Sequence, residues 1–409
     1  MESPRWNGPG MHEFVAMMAA LMASNALAID AMLPALPAIG DALHVGVANQ
    51  RQFVITFYLL GFGAAQLFYG PISDSVGRKS ILATSLGFYG LFAIVSGLAA
   101  SFPLLLMARA LQGAAAAGTR VLVVSIVRDR FHSDTMARVM SLVFIIFMIV
   151  PVLAPAFGQA VLWVASWRFI FIGLGVYSVC VLIWLMIRLP ETHPRERRRA
   201  FSLGVVGSAV ATTLRTRKSI GNTIALTLVM GGLFGFINSI QQIVFDVYGR
   251  PELMALIFAS IAGPMALSSY LNSRIVERLG SRRIMLIALT AFCSIAALHL
   301  TIAWAVGEPL ILFVIFQALT MASFGLISAN LGAIAMLPLG HIAGTASSVQ
   351  GIITTIGGAL IGLAIGQAFD GTTIPLLAGF TICGILALLI AKWTNKPSQA
   401  GEEPVFVPQ

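Results

Sequence analysis

The sequence predicts an all-α integral membrane protein, with twelve transmembrane helices arranged as two pseudo-symmetric six-helix bundles. Three observations carry that reading: a composition too apolar for a water-soluble domain, twelve apolar runs of spanning length, and a loop pattern that recurs half a chain apart. A soluble domain has about a quarter of its residues charged. These 409 residues are 10% charged and 58% hydrophobic, with a mean hydropathy of +0.91. Crossing a hydrocarbon core of about 30 Å takes about 20 residues of helix, with every backbone polar group paired inside the segment.

Taken in order, the first six spans lie at 13–36, 51–71, 81–101, 103–128, 138–161 and 168–189. The second six lie at 220–246, 252–272, 283–305, 309–335, 343–368 and 373–393. Ser101, Phe102 and Pro103 alone separate the third from the fourth. The first run follows MESPRWNGPGMHEF, which has no small-residue cleavage pattern, and it outlasts a signal-peptide core, so it is expected to be retained as a helix. The longest polar stretch, LPETHPRERRRAFSLGVVGSAVATTLRTRKS, divides the sixth span from the seventh. It predicts an N-terminal bundle over 1–190, a cytoplasmic linker over 191–218 and a C-terminal bundle over 219–409.

The two halves repeat. GPISDSVGRKS at Gly70 to Ser80 follows the second span, and SRIVERLGSRR at Ser273 to Arg283 follows the eighth. Aligning Gly77 with Gly280 sets Asp74 over Glu277, and Arg78 and Lys79 over Ser281 and Arg282. A duplicated six-helix unit, holding substrate between its halves near the midplane, is the architecture of many secondary transporters.

The net charge of +9 reads as topology rather than as a nucleic-acid surface. Arg78, Lys79, Arg128, Arg130, Arg138, Arg188, the cluster Arg195, Arg197, Arg198, Arg199, Arg215, Arg217 and Lys218, then Arg274, Arg278, Arg282 and Arg283 all fall in loops of one parity. The opposite loops hold Arg51, Arg168 and Arg250. By the positive-inside rule both termini are cytoplasmic. Cys180, Cys293 and Cys383 stand in separate spans, which leaves neither a disulfide framework nor metal-ligand spacing. No P-loop and no nucleophile or zinc arrangement supports catalysis, so neither an enzyme nor a cofactor is expected.

One carboxylate, Asp30, sits inside the first apolar run. Such a charge costs roughly 2.5 to 3.5 kcal/mol on insertion scales, which makes it a functional residue with a partner to be found. Arg109 is the expected partner, because helix 4 descends from near Pro103 and brings it to a matching depth, about 9 Å below the outer surface. A guanidinium keeps its charge, whereas burial and neighbouring charge switch a carboxylate between protonation states. Together they predict a proton-coupling pair; the alternative is a static ion pair that fixes helix packing. Arg120 follows by eleven positions, about 20° round the same helix face and about 16 Å further along. It either attracts an anionic or zwitterionic ligand, or it bonds to helix carbonyls or snorkels toward the inner surface. Gly113, Ala114 to Ala117 and Gly118 are small enough to let helices approach closely. His299 reads as a packed neutral histidine, and Phe57, Tyr58, Phe234 and Phe236 as core aromatics or one wall of a drug site.

On these residues the chain resembles the major facilitator superfamily, and within it the 12-helix drug:proton antiporters of the bicyclomycin and chloramphenicol resistance (Bcr/CflA) type. GPISDSVGRK is similar to the superfamily's signature loop, LMARALQGAAAAG at Leu106 to Gly118 to its helix 4 motif, and PVLAPAFGQ at Pro151 to Gln159 to the helix 5 antiporter motif. AIDAMLPALP, VRDRF, SWRFIF, LPET and AGTASS resemble that branch in particular. Departures are Ser75 where a base is usual, Ala154 before Pro155 where glycine is usual, and Gln159 in place of glycine. The resemblance implies a cytoplasmic gate at Gly70, Asp74, Gly77, Arg78 and Lys79, and an antiporter motif at Pro151, Pro155 and Gly158. It implies a cavity lined by helices 1, 4, 7 and 10, hence substrate contacts at Asn25, Asn238, Gln241 and Gln317; Arg120 stands outside the family's pattern and is expected in that cavity on its own charge and helix face. The expected function is alternating-access export of small amphipathic drugs or metabolites against protons. The alternative is proton-coupled symport or exchange of an anionic or zwitterionic metabolite. The expected setting is a bacterial inner membrane, as a monomer, with small molecule, protons and lipid as its partners and no nucleic acid.

Overall fold

The computed structural model describes residues 8–131, 133–198 and 203–396. Among them, twelve helices are long and apolar enough to cross a membrane, and there are no strands. The first six are α1 (Met11–Asp30), α2 (Phe53–Val76), α3 (Arg78–Gly97), α4 (Phe102–Arg130), α5 (Ser133–Val164) and α6 (Arg168–Arg188). The second six are α7 (Arg217–Gln242), α8 (Met254–Leu279), α9 (Ser281–Val306), α10 (Leu310–Met336), α11 (Ala343–Gln367) and α12 (Ile374–Thr394).

The same pairings occur in both halves. α2 packs on α4 as α8 does on α10, α3 on α4 as α9 on α10, α3 on α6 as α9 on α12, and α1 on α5 as α7 on α11. Gly77 and Gly280, the aligned glycines of the repeat, both end a helix at positive φ, 119° and 75°. A side chain is strained at such angles, which is why glycine stands there twice. Two seams join the halves, α2 against α11 and α5 against α8.

Two local departures from the expected spans have clear causes. The first span is not one helix: α1 stops at Asp30, and the chain continues through a 3₁₀ turn, Leu33–Ala35, into a short helix, Leu36–Ala42. Pro34 stands four residues after Asp30 and has no N–H to offer its carbonyl, and Pro37 repeats the interruption. The polar stretch between the halves holds a helix of its own, Leu203–Arg215, laid against α7 and α11. Arg199 of the basic cluster and both chain ends, 1–7 and 397–409, lie outside the described residues.

Candidate functional site

Between the halves lies a cavity of about 340 Å³, walled by α1, α2, α4 and α5 from one side and α7, α8, α10 and α11 from the other. Its lining is mostly apolar and includes Phe62, Phe144, Phe234, Phe258 and Phe324 with Met148, Met230 and Met321. Rings supply large flat contacts and thioethers adapt to irregular shapes. Asn25, Asp30 and Arg120 supply the strongest polar groups.

Asp30 is 5% exposed, and its Oδ1 is buried with no hydrogen-bond partner. The expected partner is engaged elsewhere. Arg109, fully buried, donates through Nε to the Val54 carbonyl at 3.1 Å, through Nη1 to Gln112 Oε1 at 2.7 Å and through Nη2 to the Ala28 carbonyl at 2.8 Å. Its guanidinium also lies 4.4 Å over the Tyr58 ring. Ala28 belongs to the last turn of α1, where carbonyls lack intrahelical donors, and that is what draws the guanidinium past the carboxylate. Arg109 thus stands beside the helix break as a fixed charge, not as the other half of an ion pair. Asn25, one turn before the break, accepts from the Tyr58 hydroxyl at 2.8 Å.

The helix 5 motif touches the same place. Pro151 lines the cavity, and a side chain at Gly158 would strike the Ala31 carbonyl, the first residue past the end of α1. α5 therefore seats its backbone directly on the break that carries Asp30.

Arg120 opens onto the cavity from its far end. Its guanidinium lies 5.9 Å from the Phe62 ring centroid, and no carboxylate pairs with it among the described residues. A second cavity of about 350 Å³ shares Met22, Arg120 and Phe144 with the first. It runs to the basic end of the molecule past Gln66, Gly70, Asp74, Arg78, Arg128 and Ser347.

At that basic end the expected gate residues gather, with partners from other motifs. Asp74 pairs with Arg78 at 2.6 Å, and Arg78 Nε with Asp129 of VRDRF at 3.1 Å. The carboxylate that holds the start of α3 is Glu191 of LPET, which accepts from the backbone N–H of Arg78 at 2.9 Å and of Lys79 at 3.3 Å. Lys79 Nζ donates to the Met186 carbonyl at 2.9 Å. All of these groups belong to α1–α6 and the segment after them.

The opposite end is closed across the halves by amides. Gln52 Nε2 donates to Gln242 Oε1 at 2.6 Å and to the Gly366 carbonyl at 3.0 Å, and Gln242 Nε2 donates to Asn49 Oδ1 at 2.7 Å. Asn49 Nδ2 reaches the Gln367 and Phe369 carbonyls at 3.1 and 3.0 Å, and Gln367 Nε2 donates back to the Asn49 carbonyl at 2.6 Å. The signal that the sequence offered for this closure was amide side chains near the same end of the second, seventh and eleventh spans.

Of the residues expected to contact substrate, Asn25 and Arg120 line the central cavity, and Asn238, Gln241 and Gln317 do not. Those three are buried, and Asn238 packs beside Gly366 where α7 closes on α11. Phe234 and Phe236 are on the cavity wall; Tyr58 lies under Arg109, and Phe57 is exposed on the outside. His299 is buried against the Glu308 carboxylate, whose other oxygen accepts from Thr373 Oγ1 at 2.9 Å.

Residues 18–362 match the family model described as Major Facilitator Superfamily. The chain is 29% identical over 364 residues to a bicyclomycin resistance protein homolog of Haemophilus influenzae, covering 88% of this chain and 90% of that one. It is 26% identical over 400 residues to the multidrug resistance protein MdtL of Escherichia coli O157:H7, covering 96% and 99%. Among solved structures, a D-xylose-proton symporter superposes with a TM-score of 0.72 at 15% identity, over 94% of this chain and 97% of that one.

Proposed function

This chain belongs to the major facilitator superfamily, and on that premise we propose that it exports small amphipathic compounds in exchange for protons. It is a membrane transporter and not an enzyme. The drug-resistance names of its relatives support the class of cargo. The basic end faces the cytoplasm of a bacterial inner membrane, with both termini there. Bundles 1–190 and 219–409, joined by the 191–218 linker, tilt about the central cavity as a monomer, so that substrate and protons reach it from one side at a time.

A single observation carries the coupling: a buried carboxylate, Asp30, lines the substrate cavity and has an oxygen that no protein group satisfies. A carboxylate fixed in a salt bridge would resist protonation, whereas this one is free to trade a proton for a ligand. Arg109, held by three acceptors, keeps the end of α1 in place while that exchange occurs. The small residues of α4 and the seat of Gly158 on Ala31 keep the two helices of the site in register.

Substrate added to detergent-solubilised protein in weak buffer is expected to release protons, and Asp30→Asn to abolish the release. Release that survives the substitution overturns Asp30 as the carrier. A second reading, proton-coupled symport or exchange of an anionic or zwitterionic metabolite, is favoured by one observation, the unpaired Arg120. Proteoliposomes with an imposed proton gradient separate the two: accumulation along the proton gradient marks symport, extrusion against it marks antiport.

A further inference from the structure

The central cavity holds two opposite charges that the protein leaves without partners, and they stand at its two ends. Arg109 reaches the Ala28 carbonyl at 2.8 Å, which fixes the depth of Asp30, two residues on, at the level of Arg109. Arg120 is three helical turns further along α4, about 16 Å by helix rise. Between them the wall is rings and thioethers, with Phe62 under the guanidinium. We propose that the site takes amphipathic zwitterions: an ammonium or other donor end at Asp30, a flat apolar middle, and a carboxylate or comparable anion on Arg120.

The proposal rests on the antiport reading and sharpens it. A purely anionic ligand would bind better when Asp30 is protonated, because the proton removes a repelling charge. Ligand and proton would then travel together. An exchanger needs ligand and proton to compete for one group, and a donor or cation at Asp30 does that. A purely cationic ligand satisfies the competition but meets an unneutralised guanidinium across the cavity, in surroundings of low polarity that magnify the penalty. A bipolar ligand with separated charges satisfies both ends at once. Arg120 also lines the second cavity, so an anionic end arriving from the basic side passes Arg78 and Arg128 and then meets it at the mouth of the central one.

Three matched probes test this with the full-length protein in detergent: 4′-aminomethyl-biphenyl-4-carboxylic acid, 4-phenylbenzylamine, which keeps only the cation, and biphenyl-4-carboxylate, which keeps only the anion. Titration calorimetry gives affinity, and a pH-sensitive dye gives proton release. The zwitterion is expected to bind about tenfold or more tighter than either truncated probe, in line with charge-assisted pairing at each end. Arg120→Leu should cancel its advantage over the amine by weakening the zwitterion and leaving amine affinity level or raised, as the repelling guanidinium is gone, and Arg120→Lys should restore part of the advantage. Asp30→Asn should remove proton release by the zwitterion. Equal loss of zwitterion and amine affinity in Arg120→Leu, no change in either, or no binding by the zwitterion at millimolar concentration overturns the proposal. Arg120-dependent zwitterion binding without proton release refutes antiport and leaves the charge assignment standing; proton release indifferent to Arg120 does the reverse.

Discussion

Arg109 and Asp30 are both buried charged residues of the first half, and their surroundings assign them different duties. The guanidinium completes three acceptors, the carbonyls of Val54 and Ala28 and the Gln112 amide oxygen. Orphaning a buried acceptor costs about 1–3 kcal/mol, so Arg109→Leu should lower the thermal unfolding midpoint in detergent well beyond what Asp30→Asn does. Asp30 gives up no hydrogen bond in that exchange, and its loss should appear in coupling instead. Equal midpoints for the two variants would remove this division. The sequence made the two charges visible because each is costly in an apolar span; it did not reveal that backbone carbonyls claim the guanidinium, since the end of α1 leaves those acceptors open only once the chain has turned. Glu308 was hidden for the opposite reason. It sits in the short connection between α9 and α10, where an acid looks solvated, yet it is folded in against His299 and Thr373.

Helices here are set by where backbones touch. A side chain at Gly113 would strike the Tyr58 carbonyl and one at Gly61 the Ala110 carbonyl, so α2 and α4 meet through paired glycines. Gly70, near the end of α2, has no atom within 4 Å of an added Cβ. Gly113→Ala should therefore lower the unfolding midpoint, while Gly70→Ala should leave it level or raise it, because alanine is about 1 kcal/mol better than glycine inside a helix. The same direction of change in both would show that the close approach of α2 and α4 is not what holds them. The small-residue run of α4 was legible as a packing stripe from its spacing alone, as were the spans themselves from their length. The break in α1 was written in Pro34 and Pro37 but masked by the surrounding apolar run, which reads as one continuous span. The consequence is mechanical: Asp30 terminates a helix, and the backbone just beyond it bears on Gly158 of α5, so a shift of α5 reaches the carboxylate directly.

At the scale of the molecule, the two ends are held by different bonds. The cluster of Asp74, Arg78, Asp129 and Glu191 ties one half to itself, and two linked cavities reach it from the centre. The amides of Asn49, Gln52, Gln242 and Gln367 tie one half to the other at the opposite end. Periodicity along one helix carries no information about a partner some 190 or 318 positions away, and so the repeat was legible while this closure was not. Neutral amides suit a contact that must open: each bond contributes only about 1 kcal/mol net, and the freed groups find water at once. Gln242 accepts from Gln52 and donates to Asn49, so Gln242→Leu removes both of its bonds. The closed arrangement should then lose population relative to the open one by roughly tenfold or more, since about 1.4 kcal/mol is a factor of ten. Spin labels on the exposed Val47 and Thr372, which flank the closure in the two halves, report it as a distance. Pulsed dipolar measurements on the wild-type background should give a dominant short distance, and Gln242→Leu should transfer population to a longer one. An unchanged distribution would mean that apolar packing between α2 and α11, and not the amide bonds, keeps this end shut.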